Sequence, residues 1–346
     1  MTDRGAKTSP SLSASDEPRT PVAGELGLSS TRPQRMADDT VAAWRTFAGM
    51  LYDLAEAGRF DTRLRSTDSD GRHHTVRDIA IGIGTWPEAR TVAAMVADAE
   101  QGLVGDFDQD PVTDHLRRQY AGTSDDEILA AVDVSVSQVA EFAENHATTP
   151  LAVLPVRSLL GTLPVLTLLH AATYQLAVYA LDIAAASTSR VPMPAAPDGF
   201  DYAGVVALVD VTGAIAARQH VSAAIAARTP DGVVASRAAV IDGVGAWHTI
   251  TLPAGTKVSA PSVTARSHTF IEVTTGRVAN IPALIVKREL VLDDVSGLLH
   301  ITPVLEGVPG LPGGGALRAA TASVRTMAGL GSGIGGRLSK LTHWRG

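Results

Sequence analysis

No cysteine occurs among the 346 residues. A disulfide framework, a thiolate nucleophile and a Cys-based metal site are therefore all excluded, and the absence fits a reducing compartment. No apolar core of roughly 7–15 residues follows the early Arg4, so a secretory signal is not expected and the cytoplasm is the expected location. Positive charge is not in excess. Lys and Arg number 29 against 36 Asp and Glu, for a net charge of −7, which argues against nucleic acid as a partner. Signatures for nucleotides and acyl transfer are missing too: there is no G-x-S-x-G, no P-loop, and no G-x-G-x-x-G after a strand. The glycine-rich stretch 331–336 follows no strand and reads as linker. Asp106, Asp108 and Asp110 alternate, but without the central glycine and later Glu of a calcium loop they read as a solvated acidic loop.

What the chain has is apolar content, 45% of it hydrophobic. Residues 1–38 are rich in Ser, Thr and Pro and carry no apolar period, so they are expected to be disordered. Four helices follow. The first starts at Asp39, with Val41, Trp44, Phe47, Leu51 and Leu54 on one face. The second starts at Thr75 with Asp78 as the partner in a capping box, breaks near Trp86-Pro87, and resumes through Val92 and Val96. The third runs over 124–146, capped by Ser124 and Glu127. The fourth lies within 159–189, the longest weakly charged apolar stretch, with Pro164 placed in its first turn. Its scattered polar groups, His170, Thr173, Gln175 and Asp182, favour a buried bundle helix over a membrane span. Four such helices pack most economically as a four-helix bundle over 39–190.

A Pro-rich linker, 191–197, marks a shift in composition. Beyond it the reading is a helix over 202–218, strands over 221–225, 233–241, 247–252 and 258–265, a short helix over 269–276, and a closing strand and helix. This gives a smaller α+β domain over 198–308. Residues 309–346 form a Gly-rich basic tail, with Arg318, Arg325, Arg337, Lys340 and Arg345 and no acid after Glu306. Such a segment is expected to be a solvated extension or to meet an anionic membrane surface or an acidic protein.

Two stretches resemble the DinB-like bundles, including the mycothiol-dependent maleylpyruvate isomerase family. Val76-Arg77-Asp78-Ile79-Ala80-Ile81-Gly82-Ile83, ahead of Trp86, is similar to a helix in which the family's metal-binding His falls on Gly82. Gln175-Leu-Ala-Val-Tyr179-Ala-Leu-Asp182 is similar to its last helix, with the metal-binding Glu and His falling on Gln175 and Tyr179 and the trailing acid kept as Asp182. The order of elements over 198–308, and Thr275-Gly276-Arg277 read as preceding a strand, resemble a sterol-carrier-like domain. The resemblance implies a bundle whose metal ligands are lost, hence no metal cofactor. Its former site would then be a pocket lined by Gln175, Tyr179 and Trp86, or else filled by Gln175 and Tyr179 bonded to each other or to Asp182. His170 is nine residues before Tyr179 and half a turn round the helix from it, so it is expected to face away. His73, His74 and His115 read as surface residues.

The expected function is therefore that of a non-metal relative that binds a small molecule or acts as a scaffold. The alternative is a thiol-dependent transferase or isomerase using mycothiol, although loss of the metal removes the evident means of making a thiolate. A third reading, lipid binding or membrane association, rests on the second domain and the basic tail.

Overall fold

The computed structural model describes residues 18–67, 71–107, 110–188, 192–278 and 280–306. The basic tail, the stretch 331–336 and most of the Ser/Pro-rich N-terminus lie outside the described residues. The helical half contains α1 (Leu28–Thr31), α2 (Pro33–Glu56), a hairpin of β1 (Arg63–Thr67) and β2 (His73–Thr75), α3 (Val76–Ile83), α4 (Val92–Glu100), α5 (Asp110–Gln119) and α6 (Asp125–His146). A small ladder of β3 (Pro155–Val156) and β4 (Leu163–Pro164) then leads into α7 (Val165–Ala185). The second half is α8 (Phe200–Arg218), β5 (Ala223–Arg228), β6 (Val233–Ile241), β7 (Val244–Leu252), β8 (Ser262–Ala265), α9 (Ser267–Thr274), α10 (Ile281–Val286), β9 (Leu290–Asp293) and α11 (Val295–Glu306).

The caps read from sequence are made. Thr75 accepts from the Asp78 N–H while the Asp78 side chain accepts from Thr75, and Ser124 and Glu127 do the same for α6. These reciprocal bonds satisfy the donors that a helix start leaves orphaned. Pro164 sits just before α7 as its N-cap residue, because it is still paired in β4. In the helical half α2 packs on α6 and α7, and α3 packs on α6. Thr40 meets His170 and Phe47 faces Tyr179, so α2 and α7 run in the same direction.

The five-stranded sheet has the order β7-β6-β5-β8-β9. Its pairs are antiparallel except β5–β8. One apolar core runs without a break from α2 through α7 and α8 into the sheet. The helix expected to open a second domain thus packs along α7 on one side and on β6 and β7 on the other. Glycines let it approach both. A Cβ on Gly204 would stand 2.6 Å from that of Ala177, and one on Gly213 would overlap the Ser236 hydroxyl. Among the described residues α8 is the one helix long and apolar enough to cross a membrane, and it is buried here as the central core helix.

Several expectations need correction. Residues 18–38 were expected to be disordered, yet they form an ordered arm, and α2 begins at Pro33. Glu25 and Gly27 pair with both backbone polar groups of Trp247 on the β7 edge, and the Leu28 N–H donates to Asp210 at 3.2 Å. Glu25 also pairs with His248 at 2.7 Å and with Arg19 at 2.8 Å. Pairing of this kind covers a sheet edge that would otherwise expose its donors and acceptors. The acidic loop gives way at Asp110 to α5, whose amphipathic pattern was masked by its charge. Thr275-Gly276-Arg277 leads into α10, not directly into a strand.

Leu176 is almost fully buried in α7. Leu176→Ala should therefore lower stability by about 2–5 kcal/mol in chemical denaturation, and a change below about 0.5 kcal/mol would contradict this packing.

Candidate functional site

The residues singled out from the sequence lie on and just after α3 and along α7. Gly82 closes on α5: a Cβ there would lie 3.2 Å from Nη2 of Arg117 and 3.2 Å from the Thr113 methyl. Arg117 is buried, donates to the Asp78 carbonyl and to Nε2 of His74, and pairs with Asp114 at 3.1 Å. His74 is therefore buried, unlike the exposed His73 and His115. Trp86 also turns to α5. Its ring stacks on Tyr120 at 4.0 Å and its N–H donates to the Ile81 carbonyl at 2.8 Å. Gln175 and Tyr179 are half-buried on α7, where the Tyr179 ring lies 6.3 Å from that of Phe47.

Asp182 is fully buried, and its carboxylate is not the partner of Gln175 or Tyr179 that was expected. One oxygen accepts from Nε of Arg65 and the other from Nη2 of Arg277, each at 2.6 Å. Arg65 also reaches Glu272 at 2.9 Å. A buried carboxylate survives in low dielectric only when it is paired and hydrogen-bonded on both oxygens. Asp182 thus ties α7 to β1 and to the turn after α9.

A zinc centre needs three or four convergent donors. Gly82 offers none and has a guanidinium against it, whose positive charge would repel a cation. Among the described residues no three His, Asp or Glu side chains gather as a metal site. The residues present at these positions do not fit the metal held by the family that the sequence resembles.

The structure instead opens a cavity of about 380 Å³ elsewhere, between α2, α7, the start of α8 and β7. Leu28, Met36, Ala42, Ala43, Phe200, Ala203 and Val206 supply apolar walls. Arg32, Arg35, Asp39, Asp198 and Thr251 supply polar groups. Arg35 and Asp39 pair with each other at 2.9 Å, while Arg32 donates to the Thr251 hydroxyl at 3.3 Å. Tyr202 also lines the cavity, and burial pushes its phenol up to about 12.

His170 also lines this cavity, and it was missed as a functional residue. The Thr40 hydroxyl lies 2.7 Å from the Met36 carbonyl and 3.0 Å from Nδ1 of His170. With the hydroxyl proton assigned to the shorter contact, Thr40 accepts from Nδ1, the imidazole proton sits there, and Nε2 keeps a lone pair. Nε2 is closed off from solvent and has no partner among the described residues. Burial lowers the ring to about 4, so it is neutral near pH 7. A lone His in an apolar helix carries little signal in sequence; its identity as a half-satisfied acceptor depends on Thr40, in another helix.

No protein-family model matches the sequence, and no curated protein matches it. Two solved structures of the mycothiol-dependent maleylpyruvate isomerase, one of them a mutant, are similar in backbone, with a TM-score of 0.45. Sequence identities are 10% and 11%, over 73% of this chain and 93% of the other. A likeness of that size establishes neither a fold nor an activity for this chain.

Removing Asp182 would leave two arginines facing each other without their shared carboxylate. Asp182→Ala should cost about 3–5 kcal/mol in denaturant unfolding, as for other broken buried ion pairs, and a loss under about 1 kcal/mol would show that the network is not structural.

Proposed function

We propose that this protein binds a small organic molecule in the cavity between α2, α7 and α8, and that it does so without a resident metal. The observation that carries the reading is a cavity of about 380 Å³ with His170, a buried acceptor short of a partner, in its wall. Apolar walls with a few placed polar groups are the usual equipment of ligand sites. The sequence frame around Asp78 and Asp182 supports descent from the metal-binding bundles it resembles, with Gly82, Gln175 and Tyr179 in place of the ligands. A thiol-dependent isomerase would need a group that stabilises a thiolate. The cationic Arg117 is already committed to Asp114, His74 and the Asp78 carbonyl, so binding is favoured over catalysis.

The test is a titration with the fluorescent probe anilinonaphthalene sulfonate before and after treatment with a chelator. Saturable binding at one equivalent is expected, unchanged by chelation. Ala203→Trp, which fills the cavity, should abolish it, and Gln175→Ala should leave it intact. Binding that disappears with the chelator, or with Gln175→Ala alone, would move the site back to the positions of the resemblance.

A further inference from the structure

We propose that the ligand of this cavity is a compact amphiphile of the phenol, indole or alcohol type, whose apolar body carries an O–H or N–H donor for Nε2 of His170. The proposal rests on the cavity reading above and adds the chemical class.

The argument starts from the proton count on Thr40. Its hydroxyl has one proton, which we assign to the Met36 carbonyl, the shorter contact at 2.7 Å against 3.0 Å to Nδ1 of His170. On that assignment Nδ1 is the donor in the bond to Thr40, and Nε2 accepts. The ring cannot escape this by charging, because burial holds it neutral. A buried acceptor without a donor carries an unrecovered desolvation cost, and a ligand that supplies the donor recovers it. A carbonyl, ether or carboxylate oxygen in the same place would set one lone pair against another. Sites built around such a group discriminate strongly against analogues lacking the matching partner.

The walls specify the rest of the molecule. Met36, Ala43, Phe200 and Val206 offer apolar surface to its body. At the polar end the Arg32 side chain holds only a hydroxyl, that of Thr251, among the described hydrogen bonds. Arg35 and Asp39 neutralise each other there. That end therefore tolerates a polar substituent on the ligand without requiring one. Because Nε2 is closed off from solvent, the donor must displace part of the wall to reach it. Met36 lies one helical turn before Thr40, and its unbranched thioether side chain is the wall group best able to yield.

The experiment compares 2-naphthol with 2-methoxynaphthalene on the full chain by calorimetric or fluorescence titration. The ring system is the same, and only the first carries a donor. Wild type should bind 2-naphthol about tenfold more tightly or better, the equivalent of a modest buried hydrogen bond. In His170→Phe the two should bind alike. Thr40→Val gives an independent check if that variant fails to fold. Without its acceptor the Nδ1 proton can move to Nε2, and the preference should shrink or reverse toward the methoxy compound. Equal binding of both compounds by wild type would overturn the donor class while leaving the cavity intact as a site. So would a preference that survives His170→Phe, or binding of neither compound while the fluorescent probe still binds. Failure of the fluorescent probe itself would overturn the cavity reading on which the class depends.

Discussion

The close approach of α8 to two layers at once is the constraint on which the rest of the structure depends. Its side chains are buried along nearly the whole helix. It meets α7 where Gly204 lies against Ala177, and it meets the sheet where Gly213 lies against Ser236 and Trp247. A larger residue at either place would hold the layers apart. Interiors packed to crystal-like density do not absorb such a wedge. The same closeness buries Asp210 completely on α8, where it accepts from the Trp247 indole at 3.1 Å and from the Leu28 N–H. Burial pushes its carboxyl up to about 6, against the pull of bonds from Thr249, Leu28 and Trp247. Those bonds draw the N-terminal arm onto the sheet, and the arm brings Leu28, Arg32 and Met36 into the cavity wall.

Two polar groups on α7 show two outcomes of burial. Asp182 is met by two arginines from separate elements, one on each oxygen. His170 gives up its charge and, among the described residues, is satisfied on one nitrogen only. A fully paired group ties elements together. A half-paired one leaves free energy that only an added partner can recover. The first arrangement is structural and the second points to a ligand, and this difference places the functional reading at the α2–α7–α8 cavity instead of at Asp182.

Much of the fold was legible because it is encoded locally. The reciprocal caps at Thr75 and Ser124, the apolar period of α2, and the strand over 233–241 each depend on residues within a few positions of one another. The arm was not legible, because its Ser/Pro-rich composition reads as disorder and its order comes from Trp247 and Asp210, distant in sequence. α5 was hidden for a different reason: its helix buries Leu116 and Arg117, but Val112 and Leu116 are its only aliphatic side chains besides Pro111, too few to show a period. The candidate site was the least legible part. Gly82, Trp86, Gln175 and Tyr179 were grouped by resemblance; the structure seats Gly82 against α5, stacks Trp86 on Tyr120, and leaves Gln175 and Tyr179 half-buried on α7. The role of His170 follows from a hydroxyl in α2 whose proton is already used, which no spacing rule reports.

A crystal structure of the protein grown with 2-naphthol tests the central claim most directly. The account predicts the naphthol ring between Met36, Ala43 and Val206, with its oxygen within hydrogen-bond distance of Nε2 of His170. Naphthol bound beside Gly82, Gln175 and Tyr179, with the α2–α7–α8 cavity closed, would contradict it.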